Sequence, residues 1–169
     1  MKRESEREYA ALRQDDSFLL RPLNADDLPL LAAYQGCMVD ELLPMLQSSQ
    51  RRCHEGRYYE QFAICSDGRL AGLASLYAHG NGEVSDGVEV FPPFRRCGYA
   101  GRALRCLEEL ARLKGYELLT AQVRTDNAAS IALHKRCGFV TARTYVNSRG
   151  REVYRMEKSI GGSRICDMK

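Results

Sequence analysis

The sequence, 169 residues long, has no uninterrupted apolar run near the roughly 20 residues needed to span a bilayer. Its first residues, MKRESEREYA, hold no apolar signal segment, so a cytoplasmic protein with no membrane partner is expected. Histidine is scarce, with only His54, His79 and His134, and the seven cysteines at 37, 53, 65, 97, 106, 137 and 166 include no Cys-x-x-Cys pair. That odd, scattered set disfavours a disulfide framework or zinc knuckle; reduced thiols and no metal are expected. Charge of one sign is not in large excess either, since 25 Lys and Arg against 22 Asp and Glu leave +3. Without a repeated basic and aromatic surface pattern, no nucleic-acid partner is expected. No internal repeat, low-complexity tract or interdomain linker interrupts the chain.

What is present is an ordinary globular composition, 44% hydrophobic and 28% charged, in a chain long enough to bury about 70% of its unfolded surface. The expected organisation is a charged N-terminal extension over 1–16, a single domain over 17–158 and a flexible tail over 159–169. Tyr9, Ala10 and Leu12 offer the extension little to bury, and the tail is polar and contains glycine.

Ser17 to Arg21 reads as a strand, and Asn24-Ala25-Asp26-Asp27 as a helix start. Pro44 is expected to divide residues 28–50 into two short helices. Tyr58 to Ser66 and Arg69 to Tyr77 flank Asp67-Gly68, a hairpin signal, and Glu83 to Phe91 follows the turn His79-Gly80-Asn81-Gly82. Three adjacent antiparallel strands are expected. Ala103, Cys106, Leu107, Leu110 and Ala111 then recur at helical spacing, with Arg102, Arg105, Glu108, Glu109 and Arg112 on the other face. Gly115 ends this helix. Leu118 to Val123 reads as a strand parallel to the one before the helix, by a right-handed crossover. A short helix from Asp126 or Asn127 to Gly138 precedes strands at Phe139 to Val146 and Glu152 to Met156. The sum is a mixed α/β or α+β sheet, antiparallel at first, with an internal parallel crossover.

The sharpest local feature is Val90-Phe91-Pro92-Pro93-Phe94-Arg95-Arg96-Cys97-Gly98-Tyr99-Ala100-Gly101, two arginines and small residues between a strand end and a helix start. Helix-start amides with an arginine can hold a phosphate, and Gly98 and Ala100 let an anion approach the backbone. A glycine-softened helix start with solvated arginines accounts for the same residues. Neither a P-loop nor the three-glycine dinucleotide pattern is present.

Val90-x-Pro92-x-x-Arg95-x-x-Gly98-x-Ala100 resembles the acetyl-CoA-binding motif of GNAT-type N-acetyltransferases. Asn127-x-x-Ser130-x-x-Leu133 followed by Cys137-Gly138-Phe139 resembles the family's second signature, in matching order and spacing. The resemblance implies the GNAT-like acyl-CoA N-acyltransferase fold, a central mixed, mostly antiparallel sheet flanked by helices. It also implies acetyl transfer from acetyl-CoA to an amine by direct attack on the thioester. On that basis the strand through Val88 and Val90 would pair with the pantetheine arm, and the Val90 backbone N–H would polarise the thioester carbonyl. The segment Pro92, Arg95, Arg96, Cys97, Gly98, Tyr99, Ala100 and Gly101 would hold the pyrophosphate, with Asn127, Ser130 and His134 reaching the cofactor from the last helix. Asn127 also suits an N-cap, and Ser130 a cap or a packed turn.

Transfer needs a base for the ammonium, and the resemblance favours Glu89, with Asp86 as the alternative. Their odd separation puts them on opposite faces of a strand, so they are not a side-by-side pair. His134 stands where many family members carry the tyrosine that protonates the departing thiolate. An imidazole with pKa near 6.5 is roughly one-quarter protonated at neutral pH, so acid catalysis is open to it, as are packing and a contact to pantetheine. Cys97 and Cys137 lie near the motifs, where a small packed side chain is favoured over a nucleophile.

Acceptor-site residues are sought among Tyr58, Tyr59, Tyr77, Tyr145 and Tyr154, which also suit sheet packing. Asp26, Asp27, Asp40 and Glu41 would attract a cationic amine or serve as helix-start charges. The expected acceptor is a small primary amine. The alternatives are a protein or peptide N-acetyltransferase and a noncatalytic acyl-CoA-binding regulatory module. Both monomer and homodimer are compatible with the sequence.

Overall fold

The computed structural model describes residues 12–15 and 17–161. Expectations for Tyr9, Ala10, Cys166 and the tail beyond 161 lie outside the described residues. The strands are β1 (Arg13–Asp15), β2 (Phe18–Pro22), β3 (Tyr59–Ser66), β4 (Arg69–Gly80), β5 (Glu83–Val90), β6 (Leu118–Arg124), β7 (Val140–Val146) and β8 (Glu152–Ser159). The helices are α1 (Leu28–Gln35), α2 (Val39–Gln50), α3 (Tyr99–Leu113) and α4 (Ala128–Arg136), with 3-10 turns at Ala25–Asp27 and Pro92–Phe94. All eight strands form one sheet in the order β1-β2-β3-β4-β5-β6-β8-β7, antiparallel except for the β5–β6 junction. This is a mixed α/β fold with the expected antiparallel opening and parallel crossover.

Strand alternation divides the sheet into two faces. On one, Leu20, Ile64, Leu76, Val84, Leu119 and Met156 pack under Ala103, Leu104, Leu107 and Leu110 of α3, with Ile131 and Leu133 of α4 against the same core. On the other, Ala63, Cys65, Leu73 and Phe91 pack under Leu28 and Leu31 of α1 and Leu42 and Leu46 of α2. Neighbouring residues such as Ala63 and Ile64 therefore serve different cores, which explains why β3 and β4 read as nearly continuous apolar runs.

Several boundaries differ from expectation. Leu12, assigned to the extension, is buried in the α3 core at 3% exposure, and β1 pairs with β2, so folded structure begins before residue 17. At the other end Ser159 closes β8, while Ile160 is 2% exposed and its amide donates to the Glu117 carbonyl at 2.9 Å. The domain thus continues to Gly161. Two helices do occupy 28–50, but the break is at Gly36, which takes φ +67° as a left-handed cap, and not at Pro44. Pro44 lies inside α2, where burial of Leu42 and Leu46 offsets the lost hydrogen bond. Glu108, placed on the solvent face of α3, is 6% exposed because Arg112 and Lys158, the latter at 2.7 Å, close over its carboxylate.

Among the described residues, no helix is long and apolar enough to cross a membrane, and no group of three or more His, Cys, Asp or Glu could hold a metal ion.

Candidate active site

The site is built on an interruption of the sheet. β5 and β6 pair only over Glu83–Ser85 with Leu118–Thr120. Beyond Ser85 the strands part, while β5 stays paired with β4 as far as Gly72 opposite Val90. The Phe91 amide donates to the Ala71 carbonyl of the β4 side at 2.8 Å, and Leu118 N–H donates to the Gly82 carbonyl at 3.2 Å. Alternation then directs the backbone groups of Val88 and Val90 into the gap that β6 leaves. An extended ligand with its own amides could continue the ladder there.

At the far end of the gap the chain passes through Pro92–Phe94 and turns into α3. Arg96 takes φ +63° and Gly98 takes φ +81°, and a Cβ built on Gly98 would meet nothing within 4 Å. Left-handed backbone at Gly98 turns the chain into the helix without steric cost, and the space beside it is open to a ligand. No side chain caps α3, so the amides of its first turn, Tyr99 to Gly101, lead into that space, while the Arg102 amide donates to the Gly98 carbonyl at 3.2 Å. Arg95 to Gly98 are exposed, and Arg95 Nε donates to the Val90 carbonyl at 3.0 Å, which ties the turn to the end of β5. Cys97 Sγ lies 3.5 Å from the Arg95 carbonyl. Tyr99 turns inward, its hydroxyl 2.6 Å from Ser66 Oγ and its ring stacked on Phe18. Only the Tyr99 backbone is thereby left to face a ligand. A gap edged by strand amides and closed by an uncapped 15-residue helix fits a CoA-type group, a pantetheine arm along β5 and a pyrophosphate at Gly98.

Asn127 caps α4, its Oδ1 accepting from Ser130 N–H at 3.1 Å, so the capping role is the one the geometry displays. Ser130 provides α4 with a carbonyl 2.8 Å from His134 Nδ1. His134 is 4% exposed, and its Nε2 lies 3.2 Å from Asp86 Oδ1, with the Phe139 ring edge-on at 5.0 Å. Burial pushes the Asp86 carboxyl upward, and the contact to His134 only partly opposes this. Burial alone would lower His134, but the Asp86 carboxylate and the Ser130 carbonyl outweigh it and raise its pKa. Cys137 is half-buried, and burial raises its thiol above the ordinary value, against use as a nucleophile.

Asp86 shares the α3 face with Val84, whereas Glu89 lies opposite Leu73 on the other face and is exposed. The two carboxylates are therefore on opposite faces, as the odd spacing requires. Asp86 is sealed against His134 and not open to an incoming amine.

On the Glu89 face, just beyond the last β5–β6 pair, lies a cavity of about 680 Å³ lined by Tyr77, Gln122, Tyr145, Asn147, Ser148 and Arg149. Tyr77 pairs with Ser85, and Gln122 is two residues past Thr120, which places this cavity at the apex of the gap. The Asn147 amide group donates to Gln122 Oε1 at 3.1 Å and Gln122 also contacts Tyr145, joining the β7–β8 turn to β6. Of the five tyrosines, Tyr77 and Tyr145 reach the cavity. Tyr58 bonds Glu60, Tyr59 accepts from Gln61, and Tyr154 packs on the core. Asp27 is bound by Arg21, and Glu41 accepts the Met38 amide at 2.8 Å, so these acids serve helix starts. Gln122, Asn147 and Ser148 escape sequence reasoning as site residues, because polar residues on a strand and in a turn carry no signal of convergence.

Comparisons with known proteins agree with this fold. Residues 19–139 match the family described as acetyltransferase (GNAT). No curated protein matches the sequence. A ribosomal L7/L12 alpha-N-protein acetyltransferase, RimL, in complex with coenzyme A has TM-score 0.78 at 17% identity, covering 88% of this chain and 97% of that one. A putative acetyltransferase, yncA, from Salmonella typhimurium with acetyl-CoA has TM-score 0.70 at 20% identity over 90% and 99%. A dodecameric spermidine N-acetyltransferase from Vibrio cholerae has TM-score 0.71 at 17% identity over 86% and 95%.

Proposed function

Because this chain belongs to the GNAT acetyltransferase family and is an acetyl-CoA-dependent acetyltransferase, we propose that it acetylates a small primary amine. The observation that carries the acceptor class is the cavity at the β5–β6 apex: about 680 Å³, within the range of small-molecule sites. Its mixed aromatic and amide lining suits a compact polar amine. The neighbouring folds include both a ribosomal-protein acetyltransferase and a spermidine acetyltransferase, so the fold alone leaves both acceptor classes open.

In this reading acetyl-CoA supplies the activated thioester. The Val88 and Val90 amides bind along its extended arm, and a gap-facing β5 amide polarises the thioester carbonyl, where loss of one such donor costs about 3 kcal/mol of transition-state stabilisation. The uncapped start of α3 and the Arg95-Arg96 pair hold the phosphates, with Pro92, Cys97, Gly98, Ala100 and Gly101 shaping the turn. Glu89 takes the ammonium proton through water, because it lies four residues along β5 from Ser85, about 13 Å from the apex. His134, buried with both ring nitrogens engaged, holds α4 against β5 through Asp86, and the departing thiolate takes its proton from water. Asn127 and Ser130 set the start of α4 and, through it, the position of His134.

The test is calorimetric titration with acetyl-CoA, followed by acceptor-dependent CoA release over a panel of small amines and peptide N-termini. One-to-one binding with release driven by small amines is expected. Release driven by peptides alone would replace the small-molecule acceptor with a protein one. Tight binding without release from any acceptor would make the chain a noncatalytic binding module.

A further inference from the structure

The cavity at the apex of the gap has a single formal charge in its lining, the guanidinium of Arg149. No carboxylate lines it, and the Arg149 side chain makes no ion pair among the described residues. The turn that presents Arg149 is held from within. Asn147 N–H donates to the Arg151 carbonyl and Gly150 N–H to the Asn147 carbonyl, each at 2.9 Å. Asn147 Oδ1 accepts from the Arg149 and Arg151 amides at 3.0 and 3.1 Å. The backbone at Arg149 is thereby fixed, while its guanidinium takes no part in this network.

The hydrogen bonds of the lining run in one direction. With its oxygen spent on the turn, the Asn147 amide nitrogen donates to Gln122 Oε1 at 3.1 Å, and the Gln122 amide nitrogen donates in turn to the Tyr145 hydroxyl. Both side-chain carbonyls are therefore bonded already, and the series ends on a Tyr145 O–H whose proton is left to donate. The Tyr77 and Ser148 hydroxyls can act either way, so Arg149 decides the sign of the site. Arg143 adds a second cation, its guanidinium 5.2 Å from the centre of the Tyr145 ring. The acids of the neighbouring strands are engaged elsewhere. Glu83 and Glu157 bind Arg155 at 2.9 and 2.5 Å, Glu152 accepts from Thr125, and Asp86 faces His134. Glu89, about 13 Å along β5, lies beyond the screening length of roughly 8 Å at physiological salt.

A planar carboxylate matches the fork of a guanidinium and takes the Tyr145 proton as a further donor. A second ammonium in the same place would meet Arg149 and Arg143 with no acid to balance it. We propose that Arg149 is the specificity residue of the acceptor cavity and that the acceptor is a primary amine carrying a carboxylate, bound by the Arg149 guanidinium and the Tyr145 hydroxyl. This rests on the small-amine acetyl-transfer reading and deepens it by naming the acceptor class. The β7–β8 turn holds the acid end, and the amine end turns toward the apex of the gap. Polycations of the spermidine type are selected against by the same two arginines.

The experiment measures acceptor-dependent CoA release by wild type and Arg149→Gln, with acceptors compared at equal concentrations of free amine. Amino acids are paired with their own carboxamides, which differ only in the acid group, and spermidine, a phosphorylated amino sugar and peptide N-termini complete the panel. In wild type, kcat/KM is expected to be about tenfold higher for the acids than for their carboxamides. Arg149→Gln should raise KM for the acids about tenfold and bring the two sets within about twofold of each other, with KM for acetyl-CoA also within about twofold of wild type. A loss that falls equally on acids and carboxamides marks a structural effect of the turn and overturns the proposal. So does a wild type that prefers the carboxamides, spermidine or the phosphorylated amine, a comparison that holds even if the variant does not fold. Acetyl-CoA binding without release from any acceptor, or release driven by peptides alone, overturns the small-amine reading and with it this role for Arg149.

Discussion

Two nitrogens of Arg21, at 2.7 and 2.8 Å, and the Asn24 amide at 3.0 Å converge on the carboxylate of Asp27. Burial opposes ionisation there, but these donors prevail and hold Asp27 below its ordinary value of 3.8. Its contribution is therefore present above pH 3.8 and is lost as pH falls through the depressed value. His134 has the opposite sign: its folded value lies above 6.5, so its contribution is complete below 6.5 and disappears as pH rises through the folded value. Urea unfolding across pH should show Asp27→Asn less stable than wild type by about 2 kcal/mol at pH 6, with the difference closing in acid. His134→Gln should lack the decline in stability above pH 6.5 that is expected of wild type. At Arg95, removal of the guanidinium in Arg95→Ala should weaken acetyl-CoA binding about tenfold by calorimetry, through loss of a charge-assisted contact and of the tie to the Val90 carbonyl. The motif at Arg95 and Gly98 is legible in the sequence because its residues are contiguous. The Asp86–His134 contact is not, since no local pattern links a strand residue to a helix residue 48 positions on.

At the scale of elements, the hairpin of β4 and β5 depends on glycine at one close approach. A Cβ on Gly72 would lie 2.1 Å from the Glu89 carbonyl oxygen, a backbone atom that cannot move without shifting β5. Gly72→Ala should cost about 1–3 kcal/mol in denaturant unfolding, the usual range for overpacking, and should also lower acetyl-CoA affinity because Val88 and Val90 move with the strand. An alanine variant that leaves both quantities unchanged would show that this approach is not needed. The elements themselves are largely readable from apolar period and turn residues, as at Asp67-Gly68 and along α3. Pro44 misleads because a local rule about helix interiors yields to burial of Leu42 and Leu46. Glu108 misleads for a related reason: helical period places it by spacing alone, whereas Lys158 comes from a strand 50 residues away.

Across the whole molecule, β1 to β5 and β6 to β8 are two parts of one sheet that share a short parallel junction. A ligand seated in the gap binds the folded arrangement and not the unfolded chain. Acetyl-CoA at about 100 times its dissociation constant should therefore add about 2.7 kcal/mol, visible as a rise in Tm. The parallel placement of β6 beside β5 follows the crossover rule, but neither the insertion of β8 between β6 and β7 nor the length of the β5–β6 pairing has a sequence signature, since Asp86 to Val90 still reads as strand. The parting of β6 also divides the amides of a single strand into two populations. Gly87 and Glu89 N–H groups point to β4 in register with the Phe91 to Ala71 bond, while those of Val88 and Val90 have no strand opposite them. In deuterium oxide, β5 should consequently show alternating slow and fast exchange from one residue to the next, and acetyl-CoA should slow the fast set alone.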